Sequence, residues 1–305
     1  MTPVNNILRP RSVRPSRVAS GLIAGSLALT LAACGDDSSS GSPVDPVPTD
    51  PTSPPTTTPP ATTPPATTPG IEHPVGADDV VLRIGYEGGF VPIEQAFLNL
   101  PTLLVTGDGR LIVQGPQIEI YPGPLLPNMQ VRTVSEAGIQ QLLDMAAKHG
   151  LLTDREYTNP TNIADAPDTV VVINANGDTY EHRAYALAEG ESDELRQALA
   201  AFVSEATGPW LYEENPELGP EQSFEADAYL IRSFPDPILE GYEVEPTIVE
   251  WPAAAPSLAD ATECLAVPAD QVGDVLADAN QLTFFTSDGA TYQIAAKPQL
   301  PGDGC

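Results

Sequence analysis

The chain has 305 residues, and 13 lysines and arginines face 42 aspartates and glutamates, a net charge of −29. A field of that sign repels nucleic-acid phosphates and anionic head groups, which argues against nucleic-acid binding and leaves polyanionic partners out. Four of the basic residues, Arg9, Arg11, Arg14 and Arg17, precede Cys34 with no acid beside them, so the rest of the chain carries 9 basic against 42 acidic side chains, 9 − 42 = −33.

The basic, acid-free residues 1–20 run into an apolar stretch at residues 21–30. That stretch is too short for a permanent membrane helix, and the layout is that of a secretory signal. With no Arg-Arg pair, the general secretory route is expected rather than the twin-arginine one. The stretch ends in Leu31-Ala32-Ala33-Cys34, an apolar residue, two small residues and a cysteine. In these positions the chain resembles the bacterial lipoproteins and their lipobox. The resemblance implies cleavage before Cys34, a diacylglycerol on its sulfur and, in many bacteria, a palmitate-like acyl chain on the new amino group. Two or three acyl chains exceed what stable anchoring needs. The expected location is therefore the extracytoplasmic face of the cell membrane.

Pro, Thr and Ser dominate from Asp36 to about Gly70, with the near-repeat Pro59-Pro60-Ala61-Thr62-Thr63 and Pro64-Pro65-Ala66-Thr67-Thr68. Such a segment has no apolar face to bury, and its prolines favour polyproline II, in which about 35 residues reach on the order of 100 Å. It reads as a spacer, either plain or O-glycosylated on threonine. Cys264 and Cys305 are the two cysteines that follow it. An even count in an exported chain points to a disulfide rather than two free thiols, closing a loop of about 40 residues and stabilising by roughly 4 kcal/mol in chain-entropy arithmetic.

The folded part reads as α+β, a mainly antiparallel sheet with helices packed on one face and a small β-rich C-terminal portion. Strands are expected at residues 80–86, at 102–106 and 110–114 around Gly107-Asp108-Gly109, and at 129–132. Thr133-Val134-Ser135-Glu136 then reads as a capping box with Thr133 as N-cap. The helix behind it buries Ile139, Leu142, Leu143 and Ala146 and ends at Gly150. A second hairpin, 169–173 and 179–185 about Asn176-Gly177, precedes a helix beginning near Ser192 with Leu195, Leu199, Phe202 and Val203 inward. Beyond an acidic stretch at 211–225 come strands at 229–232 and 247–251, a short helix with Val272, Val275 and Leu276, and a last hairpin turning at Asp288-Gly289. The expected organisation is signal 1–33, lipidated cysteine and linker 34–75, an α+β domain 76–212, and a disulfide-linked region 213–305 that is either separate or continuous with the first domain.

The pattern over residues 80–206 also loosely resembles uncharacterised bacterial envelope lipoprotein domains, through Leu104-Val105-Thr106-Gly107-Asp108-Gly109, Asp165-Ala166-Pro167-Asp168-Thr169-Val170 and the closing helix. That likeness implies an envelope protein and no particular activity.

Chemistry is sparse. A hydrolytic triad needs a base, and the three histidines are His73 at the end of the spacer, His149 at a helix C-terminus and His182 in a strand beside Tyr180. A satisfied or exposed strand histidine explains His182 better than a catalytic one. No Cys or His pair has zinc-ligand spacing. Glu213, Glu214, Glu217, Glu221, Glu225 and Asp227 lack the alternation and glycine of a calcium loop and read as a solvated acidic stretch. Gly85-Tyr86-Glu87-Gly88-Gly89 reads as a bulge or turn rather than a nucleotide loop. Residues 122–127 could serve as an inhibitor-like loop, against the plainer reading of an irregular connection.

No catalytic residue, metal site or cofactor is assigned. The leading expectation is a non-catalytic, membrane-anchored extracellular protein that binds or spaces something outside the cell. The competing one is a secreted carboxylate-dependent hydrolase of wall or polysaccharide.

Overall fold

Two β-sheets organise the folded chain, and the computed structural model describes residues 70–189 and 193–305. The expected signal, Cys34, nearly all of the linker and the helix start at Ser192 lie outside the described residues. All the described residues belong to one unit.

The first sheet has seven strands in the order β6-β5-β1-β2-β3-β4-β7 and is antiparallel throughout. They are β1 (Val80–Gly88), β2 (Leu103–Thr106), β3 (Arg110–Gln114), β4 (Met129–Thr133), β5 (Pro167–Ala175), β6 (Asp178–Tyr185) and β7 (Gln222–Ser223). Their Val, Ile, Leu and Tyr content suits a pleated surface. Alternation sorts the side chains between faces. Leu103, Val105, Leu111 and Val113 join the main core under the helices, whereas Leu104 and Ile112 face the other way and pack with Leu100, Met129 and Leu300. At the second hairpin Asn176 and Gly177 both take positive φ, 55° and 81°, the twist-matched turn that the Asn-Gly pair favours.

Helix α2 (Glu136–Lys148) lays Ile139, Leu142, Leu143 and Ala146 on this sheet. Its N-cap is Ser135, whose hydroxyl accepts from the Gly138 amide, and not Thr133, which is held in β4 opposite Arg110. Glu136 turns away from the cap to Gln140 and His73. The helix closes with Gly150 at φ 70°, its amide on the Ala147 carbonyl and the Leu151 amide on that of Ala146, two bonds that satisfy the last turn. Helix α3 (Glu194–Ala206) is capped by Asp193 and buries Leu199, Phe202, Val203 and Ala206, with Arg196 taking the buried place expected of Leu195. Its guanidinium donates to the carbonyls of Thr158, Tyr185 and Ala186.

The second sheet has the order β10-β8-β12-β11-β9, from β8 (Ala228–Pro235), β9 (Thr247–Glu250), β10 (Leu265–Pro268), β11 (Thr283–Ser287) and β12 (Ala290–Pro298). β9 runs parallel to β11 and the other pairs are antiparallel. One face carries a core of Ile231, Phe285, Ile294, Ala296 and Trp251, covered by Val272 and Leu276 of a helix over Ala269–Ala277.

The sulfurs of Cys264 and Cys305 are bonded, at 1.99 Å. The chain between β12 and Cys305 returns to the first sheet, where Leu300 is buried and Asp303 pairs with Arg83 at 2.9 Å. At the other end, residues 70–75 belong to the fold and not to a free linker. Ile71 exchanges two hydrogen bonds with the Gln140 side-chain amide, and the Asn176 backbone amide donates to the Glu72 carbonyl.

A candidate binding groove

Between the two sheets lies a short helix, α1 (Ile93–Phe97), that begins straight after Pro92. It sits over the face of β12 that carries Lys297, whose ammonium donates to the Asn99 carbonyl at 3.2 Å and lies 5.5 Å from the Phe97 ring centre. Burial pushes the Lys297 ammonium down from its usual range. Facing α1 is the segment 115–128, pinned at several points. The Gln281 backbone amide donates to the Gly123 carbonyl at 2.9 Å, the Leu125 amide donates to the Ala279 carbonyl, and Leu125 and Leu126 pack against the second core. The Tyr121-Pro122 peptide within it is cis.

A groove of about 490 Å³ runs between these walls. Pro92, Glu94, Gln95 and Leu98 form one side, Gln117 and residues 124–127 the other, and Gln281, Gln293, Ile294 and Ala295 the floor. On the far side of α1 a second hollow of about 350 Å³ is lined by Tyr86, Phe90, Val91, Asn99 and Asp165 among others, and Gln95 borders both. Phe90, in the second hollow, is 90% exposed, and Ile118 and Ile120, which follow Gln117 in the chain, are 67% and 58% exposed. Residues 122–127 thus serve as a wall, tied down along their length, and do not project as an inhibitor loop.

The three histidines are dispersed. His182 is fully buried in β6, its Nε2 donating to the Leu151 carbonyl at 2.8 Å and its Nδ1 accepting from the Tyr157 hydroxyl at 2.9 Å. Burial pushes its imidazole below the usual range and the Tyr157 phenol up to about 12. Tyr180, on the same face, packs against the core and is not its hydrogen-bonding partner. Both ring nitrogens are occupied by structural contacts, the arrangement of a satisfied core histidine. His73 donates from Nδ1 to the Pro74 carbonyl at 2.7 Å, with Nε2 3.1 Å from Glu136. Hydrogen bonds from Gln140 and then His73 hold the Glu136 carboxyl below its usual range. His149 lies 3.8 Å from Glu205.

The acidic stretch also separates. Glu217 accepts from the Ser135 hydroxyl and fastens the cap of α2, while Glu225 and Asp227 border a polar hollow of about 310 Å³ with Asp78, Asp303 and Arg110. Arg110 there is held by Asp108 at 2.9 Å and by the Ala77 carbonyl. Among the described residues no group of three or more His, Cys, Asp or Glu is placed to hold a metal ion, and no helix is long and apolar enough to cross a membrane.

Comparison with family models, with curated proteins and with solved structures finds no match to this chain. Sequence reasoning offered residues 122–127 only as an inhibitor-like loop or an irregular connection, and it missed the groove, α1 and the glutamines. Local pattern carries no signal for them, because Gln95, Gln117, Gln281 and Gln293 converge from four separate segments.

Proposed function

We propose that this protein is a lipid-anchored binding protein of the extracytoplasmic membrane face, tethered through Cys34 and a proline-rich spacer, with the groove beside α1 as its binding surface. The observation that carries the address is Leu31-Ala32-Ala33-Cys34 behind a basic, acid-free leader. A bonded cysteine pair accords with it, because disulfides persist in oxidising compartments. The groove supports the binding role by its size and its mixed apolar and amide lining, which is the general character of ligand sites.

Intact mass of the protein extracted from membranes, wild type against Cys34→Ala, tests the reading. The expected wild-type species begins at Cys34 with added acyl mass, and the variant is unlipidated or uncleaved. A soluble, unacylated wild type cut elsewhere would remove the anchor.

A further inference from the structure

We propose that the groove beside α1 receives an extended, uncharged polypeptide segment of a partner protein, its backbone held by glutamine amides and its apolar side chains by the leucines of the two walls. This occupant rests on the binding role proposed for the groove and gives that role its ligand class.

The lining chemistry selects this occupant. Gln95 and Gln293 each present a carbonyl and an NH₂ group, the same donor and acceptor pair that a peptide backbone repeats, while Gln117, whose NH₂ is held by the Gly115 and Asn128 carbonyls, adds an acceptor and Gln281, whose carbonyl takes the Gly123 amide, adds a donor. Glu94 is the one ionisable residue among the lining side chains, on a chain with 42 acidic residues. Burying a charged partner group against amides and apolar surface would leave it without a counter-charge, which is expensive, so an uncharged segment is preferred. The walls add apolar contact. Leu98 supplies it on the α1 side, Leu125 and Leu126 on the other. A sugar polymer fits less well, because no aromatic ring lines the groove to stack on a pyranose face.

The full chain in detergent, and a Gln95→Glu/Gln293→Glu variant checked for an unchanged thermal transition, are panned against a phage-displayed library of random peptides. Enriched peptides are then titrated by fluorescence anisotropy and by the side-chain amide NMR signals of Gln95 and Gln117. The expected result is enrichment of sequences with an uncharged, apolar centre that shift both amide signals. They should bind the double variant at least about tenfold more weakly, a loss of about 1.4 kcal/mol, and bind an Ile238→Ser control, altered outside the groove lining, unchanged. Enrichment of lysine- and arginine-rich peptides, binding indifferent to the double variant, or no enrichment at all overturns the proposal. Should chito-oligosaccharide move the two amide signals while peptides do not, the occupant is a glycan, and the binding surface stands while this inference falls. Self-association that the double variant abolishes assigns the groove to a second copy of this chain and overturns the peptide partner.

Discussion

The Tyr157 hydroxyl and His182 Nδ1, 2.9 Å apart, join the loop behind α2 to the edge strand β6 through a hydrogen bond between a half-buried ring and a fully buried one. Because Nε2 donates to the Leu151 carbonyl, Nδ1 of the neutral imidazole is the nitrogen that accepts from the phenol.

Acid should therefore loosen this region before it unfolds the rest. Burial depresses the native His182 titration, so between its native value and the unfolded value near 6.5 the unfolded chain binds more protons. The contribution is complete above about pH 6.5 and is lost as pH falls through the native value. Thermal unfolding from about pH 7.5 down to about 5 should show a falling midpoint, shallower in His182→Gln, and an identical slope in the two would remove His182 as its cause.

Tyr157→Phe tests the same contact from the other side. It leaves Nδ1 buried without its donor and should destabilise by about 1–2 kcal/mol in urea. With the native phenol at about 12 and the unfolded value near 10, the wild type should also lose stability between those two pH values. Tyr157→Phe should lack that alkaline limb.

The capping residue of α2 is open to a direct comparison. Ser135→Ala removes the acceptor of the Gly138 amide and the partner of Glu217, and should cost about 1 kcal/mol or more. Thr133→Val, at the position that local sequence favours as the cap, should change stability by less than about 0.5 kcal/mol. Equal losses in urea denaturation would contradict the assignment of Ser135.

Two turn glycines share φ of 81° but differ in surroundings. A Cβ on Gly177 meets nothing within 4 Å, whereas one on Gly109 would stand 2.7 Å from the Val134 carbonyl oxygen. Gly177→Ala should cost about 1 kcal/mol from backbone conformation alone, and Gly109→Ala should cost more, because the β3 to β4 contact must also shift.

Cutting the Cys264–Cys305 link by replacing both with serine should destabilise by about 2–4 kcal/mol. Hydrogen exchange should rise first at residues 299–303, freeing Asp303 from Arg83, and uniform protection across the chain would show that the link is not what holds this segment.

Local chemistry made much of the architecture legible. Asn176-Gly177 and Asp288-Gly289 fix hairpins through the positive φ that their turns demand, and the spacing of Ile139, Leu142, Leu143 and Ala146 fixes α2. Where two residues compete for one role, tertiary contacts decide. Ser135 displaces Thr133 as the cap because the sheet claims Thr133 and Glu217, far along the chain, reaches Ser135. Arg196 is buried because three carbonyls on two other segments converge on it, which helical periodicity cannot reveal. The parallel pairing of β9 with β11 and the groove itself are likewise products of distant segments meeting.

The chain enters the fold at Gly70 beside the Asn176 turn, and β1 then crosses the sheet for nine residues to Gly88, near the groove, a span of about 30 Å. A pull between the proposed anchor, acting at Gly70, and a ligand held in the proposed groove beyond Gly88 would be directed along that central strand. β1 is flanked on one side by β2 and on the other by β5, whose register runs without a break from Leu82 to Gly88. Force along the strand must shear these rungs together instead of opening them one after another, which would make the line from tether to groove the mechanically stiff axis of the molecule.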